Sequence, residues 1–122
     1  MTSDLDASTD NDPIDLNEAC EMFGGDRQLL RSIVEAFLME TPGMMKTIDG
    51  SLESGDAKAI VRAAHTMKSN FSNLCLHETA KQCRDVEDFA KQNNLTEIKS
   101  SLDALQVRLQ TIVKQLEAYL AS

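Results

Sequence analysis

Apolar residues recur along the chain in steps of three and four, the spacing of helix faces. Asp15 and Glu18 have the spacing of a capping box and open a short helix through about Phe23, which Gly24-Gly25 ends. Asp26 caps a second helix carrying Leu29, Leu30, Ile33, Val34, Phe37 and Leu38 at helical spacing. Thr41-Pro42 fits an N-cap followed by proline at the first helical position, so this helix is expected to kink or restart there. Its continuation places Met44, Met45, Ile48 and Leu52 on one stripe, read as core rather than as an adhesive methionine surface. Ser54-Gly55-Asp56 is a stop followed by a new cap, and a third helix runs to about Asn73. A fourth spans about Leu76 to Gln92, with Leu76, Ala80, Cys83, Val86 and Ala90 inward.

Asn94 and Glu97 can cap the fifth helix, which has the cleanest period in the chain: Leu95, Ile98, Leu102, Leu105, Leu109, Ile112, Leu116 and Leu120. Such a strip lies against other helices. It could serve a homodimeric coiled coil, but the short loops between preceding helices favour an antiparallel bundle within one chain. The fold class is all-α. Residues 1–12 are acidic and polar with little to bury, so they are expected to form a disordered tail, leaving residues 13–122 as one domain.

Composition agrees with helix: 4% of residues are aromatic, Trp is absent, and Leu, Ala, Met, Glu, Lys and Gln abound. The net charge of −8 disfavours nucleic-acid and membrane partners. The charge is uneven, however. Lys58, Arg62, Lys68, Lys81 and Arg84 face a single acid, Glu78, within residues 58–84, a basic island on an acidic protein. Three cysteines without a C-x-x-C pair, no signal peptide and no membrane-length apolar run suggest a reducing cytoplasm. Cys20, Cys75, Cys83 and the two histidines have no recognised zinc spacing, so no metal site is expected, and the cysteines read as small core residues.

The third helix carries the chemical signal. Stepping about 100° per residue from His65 puts Ile60, Ala63, Met67, Phe71 and Leu74 on the opposite side. The imidazole therefore points to water or a partner, flanked by Lys58, Val61, Arg62, Lys68, Ser69 and Ser72. An incidental surface histidine is the plain alternative; the cationic rim and small neighbours argue against it, because they suit a phosphorylated imidazole approached by another protein. With an unperturbed pKa of about 6.5, a neutral imidazole is a competent nucleophile near pH 7. No base is apparent beside His65, nor any phosphate-cradling glycine loop or Mg²⁺ carboxylate cluster. The residues thus read as a phosphoryl carrier whose catalytic machinery lies elsewhere.

The run His65-Thr66-Met67-Lys68-Ser69-Asn70-Phe71-Ser72-Asn73-Leu74 resembles the phosphoacceptor motif of histidine-containing phosphotransfer (HPt) domains. The Gly-Gly-Asp entry, the Pro42 interruption, Ser-Gly-Asp before Ala63-Ala64-His65, and Cys83, Val86 and Glu87 downstream are similar to that family too, so the likeness covers about residues 15–118. It implies an antiparallel four-helix bundle with an additional short N-terminal helix. It also implies phosphorylation of His65 on Nε2, support from Lys68, and a contact surface of small residues at Ser69 and Ser72, with Arg62 on its rim. The implied partners are receiver domains of a hybrid sensor kinase and a response regulator, which would supply the aspartate and the Mg²⁺; the chain itself would bind no cofactor and act as a monomer. Two residues depart from the motif. Ser69 replaces the family's glycine, and Cys75 replaces the glycine that closes the helix. A left-handed cap at Cys75 would cost about 1–2 kcal/mol, so the turn is expected at Asn73 or not at all.

Other readings are a non-catalytic adaptor docking receiver or kinase domains, the phosphoacceptor domain of a chemotaxis-type kinase, and a cofactor-binding bundle. The last needs Glu or His projecting inward, and the apolar stripes are expected to carry neither. His77 is the only other phosphoacceptor candidate, and it lacks the motif.

Overall fold

Four of the helix starts expected from the sequence carry a side-chain cap. Asp15, Asp26, Asp56 and Asn94 accept the backbone N–H of the residue three positions on, at 3.1, 3.0, 3.1 and 3.4 Å. The computed structural model describes residues 14–122, and among them runs α1 (Leu16–Met22), α2 (Arg27–Ser54), α3 (Ala57–Ser72), α4 (His77–Lys91) and α5 (Leu95–Ala121). The acidic segment expected to be a disordered tail lies outside the described residues. Helices α2 to α5 form an antiparallel four-helix bundle, and α1 packs onto α2 at one end.

Each of α1 to α4 is followed by a residue of positive φ: Gly24 (73°), Gly55 (75°), Cys75 (60°) and Asn93 (56°). The next N–H reaches back five residues in every case, from Gly25 to Cys20, Asp56 to Ser51, Leu76 to Phe71 and Asn94 to Phe89. These are Schellman closures. The expectation that Cys75 would avoid the left-handed region is therefore wrong: Asn73 stays right-handed at φ −62°, and Cys75 makes the turn. The reason is burial on either side of it. Leu74 and Leu76 are both fully enclosed, and burying a leucine stabilises by about 1.5–3 kcal/mol, more than the backbone cost.

This geometry has a testable consequence. Cys75→Val keeps a small apolar side chain but adds a β-branch at positive φ, and is expected to destabilise by about 2 kcal/mol. Cys75→Gly, which relieves the backbone while losing a buried thiol, is expected to stay within about 1 kcal/mol of the wild type. Urea unfolding of both variants measures the difference; equal midpoints would rule out the left-handed turn.

The restart expected at Pro42 does not occur: helix α2 runs through the proline unbroken. Proline withholds one backbone donor, a local cost of about 3 kcal/mol in a helix interior. The buried series Phe37, Thr41, Met45 and Ile48 crosses the proline without losing register, and this packing holds the helix together. Thr41 is not a cap. It is fully buried, and its Oγ1 accepts a hydrogen bond from Asn70 Nδ2 of α3 at 3.2 Å.

The strip on α5 is spent inside the bundle: Ile98, Leu102, Leu105, Leu109, Ile112 and Leu116 are all buried against the other helices. A coiled coil through that strip would require opening the fold. Arg31 Nη2 donates to the Leu120 carbonyl at 2.5 Å and ties the start of α2 to the end of α5. The most extensive packing is between α3 and α4, and the candidate site lies along that pair.

Candidate functional site

Helix α3 buries Ile60, Ala64, Met67 and Phe71, and so turns His65 outward, with 61% of its side chain exposed. Lys68, one turn on, is 30% exposed. Arg62 and Ser69 are exposed and Ser72 is half-buried, and by helical spacing all lie on the His65 side of α3. Among the described residues none of these three side chains has an ion pair or hydrogen bond to His65; they form its surroundings, not its support.

The support comes from α4. Glu87, whose side chain is only 9% exposed, places Oε2 at 3.3 Å from His65 Nδ1. The same carboxylate receives Lys68 Nζ on Oε1 at 3.5 Å and Lys91 Nζ on Oε2 at 3.4 Å. One carboxylate thus gathers an imidazole and two ammonium groups from two helices. Burial alone would push the Glu87 carboxyl up, but Lys68, the hydrogen bond to His65 and Lys91 outweigh it and hold it below the usual carboxylate range. Glu87 is accordingly ionised at neutral pH.

An ionised carboxylate can only accept, so the nitrogen beside it carries the proton. That assigns N–H to Nδ1 and leaves the lone pair of Nε2 directed away from Glu87, on an exposed ring. The arrangement can present a neutral, oriented nucleophile with positive charge close by. Neighbouring Cys83 does not compete: burial pushes its thiol up to about 12, with Lys68 acting more weakly the other way, and the residue is fully enclosed. His77, the first residue of α4, is exposed and has no carboxylate partner among the described residues.

One expectation from sequence needs correcting here: a base-like group does stand beside His65, the carboxylate of Glu87. The α4 stripe Ala80, Cys83, Val86 and Ala90 contained the signal, because Glu87 lies one position off it with Lys91 at the i+4 ion-pair spacing. An acid at the margin of an apolar stripe ordinarily reads as a solvated edge. Only the close packing of α3 on α4 shows that it meets His65. Lys91 was missed for the same reason.

Residues 32–119 match the Hpt domain family. In overall shape the protein is similar to histidine-containing phosphotransfer protein B (HptB) from Pseudomonas aeruginosa PAO1, with a TM-score of 0.80 at 16% identity over 88% of this chain and 94% of that one. At that identity the likeness speaks for the fold alone. No curated protein matches the chain. Among the described residues, no helix is long and apolar enough to cross a membrane. The family match extends over most of the chain and includes both helices of the His65 site, and on that ground the protein belongs to the Hpt domain family of phosphotransfer proteins.

Proposed function

We propose that this protein is a phosphorelay carrier: Nε2 of His65 accepts a phosphoryl group from the aspartyl phosphate of one receiver domain and passes it to the aspartate of another. The observation that carries this reading is the asymmetry of the ring, with Nδ1 held by a buried carboxylate and Nε2 left open. In the accepting step Nε2 donates its lone pair to phosphorus, the aspartyl O–P bond breaks, and its electrons return to the receiver carboxylate. Lys68 compensates the negative charge gathering on the phosphoryl oxygens. Ser69 and Ser72 are short enough to admit a second protein against α3, and Arg62 adds positive charge at the rim. The receiver would bring the Mg²⁺, and the chain needs no cofactor of its own. A hybrid sensor kinase and a response regulator are the partners this reading requires.

The test is phosphotransfer from a phosphorylated receiver domain in the presence of Mg²⁺. The expected product is an acid-labile, alkali-stable label whose ³¹P and ¹⁵N signals place it on Nε2. A label on Nδ1, or on an acidic side chain, would overturn the reading. Lys68→Ala is expected to slow transfer about tenfold, the loss of one charge-assisted contact at a partly exposed site. Its circular dichroism should match that of the wild type, since Lys91 remains on Glu87. A large loss of helicity would make Lys68 a structural residue instead.

A further inference from the structure

Once a phosphoryl group sits on Nε2, the fate of the N–P bond depends on the opposite nitrogen. With a proton on Nδ1, the ring departs as neutral imidazole. Without it, the ring must depart as imidazolide, a far stronger base and a poorer leaving group. This is why such bonds are labile in acid and stable in alkali. A carrier working near neutral pH sits close to the point where an ordinary imidazole, with its pKa of about 6.5, gives up that proton.

The groups facing the ring are few. Glu87 Oε2 lies 3.3 Å from Nδ1, and its side chain is 9% exposed. Lys68 from α3 and Lys91 from α4 contact the same carboxylate, and Arg62 is exposed one turn back on α3. Among the described residues no charged group of α1, α2 or α5 contacts the ring or Glu87. Lys68 and Lys91 bring positive charge to the carboxylate that holds the ring, and positive charge there opposes a proton on phosphorylated His65. Glu87 neutralises that effect and attracts the proton, so removing its charge would act in the same direction twice.

We infer that Glu87 keeps the proton on Nδ1 of phosphorylated His65, a positioning residue that holds the phosphohistidine in its transferable form at neutral pH. This rests on His65 being the carrier. In delivery to a receiver aspartate the N–P bond breaks, its electron pair returns to Nε2, and a new O–P bond forms on the carboxylate. Nδ1 retains its proton throughout, so the ring leaves neutral and no proton needs to pass between the proteins. The accepting step is the same path reversed. The lowered Glu87 carboxyl supports this, because the anion persists throughout the working range.

The test uses wild-type protein and Glu87→Gln, each loaded from a phosphorylated receiver with Mg²⁺ and then freed of it. Decay of phosphohistidine is followed by ³¹P NMR from about pH 5 to about pH 9, a range spanning the imidazole titration. Glu87→Gln should move the inflection down by about one pH unit, the effect of losing an opposite charge in contact. At neutral pH its phosphohistidine should live severalfold longer and transfer more slowly. A purely structural Glu87 would alter the extent of loading but leave the inflection in place, and coincident profiles would overturn the inference. Should the variant fail to fold, the wild type decides by itself. The ¹⁵N signal of Nδ1 in phosphorylated His65 should report a proton at a higher pH than in free phosphohistidine, and equal titrations would refute the role of Glu87. Absence of any label on His65 in the wild type would overturn the carrier reading, and this inference with it.

Discussion

His65→Gln is expected to give a fully folded bundle that takes up no acid-labile phosphoryl group. The side chain is 61% exposed on the face of α3 opposite the core, so its loss removes almost no packing. Glu87 keeps both of its lysine contacts in the variant, and the buried carboxylate is not left uncompensated. Stability should therefore change by no more than about 0.5 kcal/mol, the range of ordinary surface substitutions. The chemical effect is complete by comparison, because an amide nitrogen has no lone pair available for phosphorus. Labelling from a phosphorylated receiver, alongside a urea titration, measures both quantities. Label persisting in a folded variant would move the acceptor elsewhere, with His77 the first residue to replace.

Phe71→Ala is expected to have the largest effect on stability. Phe71 has no exposed surface, and its ring meets Phe37 of α2 edge-on at 5.3 Å between centroids. Truncating an enclosed phenylalanine costs about 3–5 kcal/mol through lost transfer energy and the cavity left behind. A single domain has about 5–15 kcal/mol in total, so much of the margin disappears. The residue also lies six positions beyond His65 on the same helix, and its carbonyl accepts the Leu76 N–H that closes α3. Loss of phosphotransfer in this variant should track loss of the folded fraction. A folded Phe71→Ala protein unable to accept a phosphoryl group would mean that the ring aligns the site as well as filling the core.

Much of this fold can be read from the sequence because its signals are local. Asp26 caps the start of α2, Gly55 closes its end, and the strip from Ile98 to Leu116 states which side of α5 faces inward. The misreadings arise where local preference yields to packing. Pro42 looks like a helix boundary until the apolar residues on both sides of it are seen to bury together, and Cys75 looks unfit for a left-handed turn until its two leucine neighbours are seen to be enclosed. Half of the site is legible for a similar reason. His65, Lys68, Ser69 and Ser72 lie on one helix and share a face by spacing alone. Glu87 and Lys91 belong to another helix, and their relation to His65 depends on how two helices rotate against each other, which no short window of sequence encodes.

His65 and the groups that hold it lie within a single helical hairpin. Lys68 and Glu87 are separated by 19 positions, whereas the tie between Arg31 and Leu120 spans 89. Closing a short loop sacrifices less chain entropy than closing a long one, and contacts near in sequence form sooner. The hairpin of α3 and α4 should therefore assemble before the seam between α2 and α5, and should outlast it when the protein opens partially. Partial opening of the seam between α2 and α5 should then leave His65 held against Glu87.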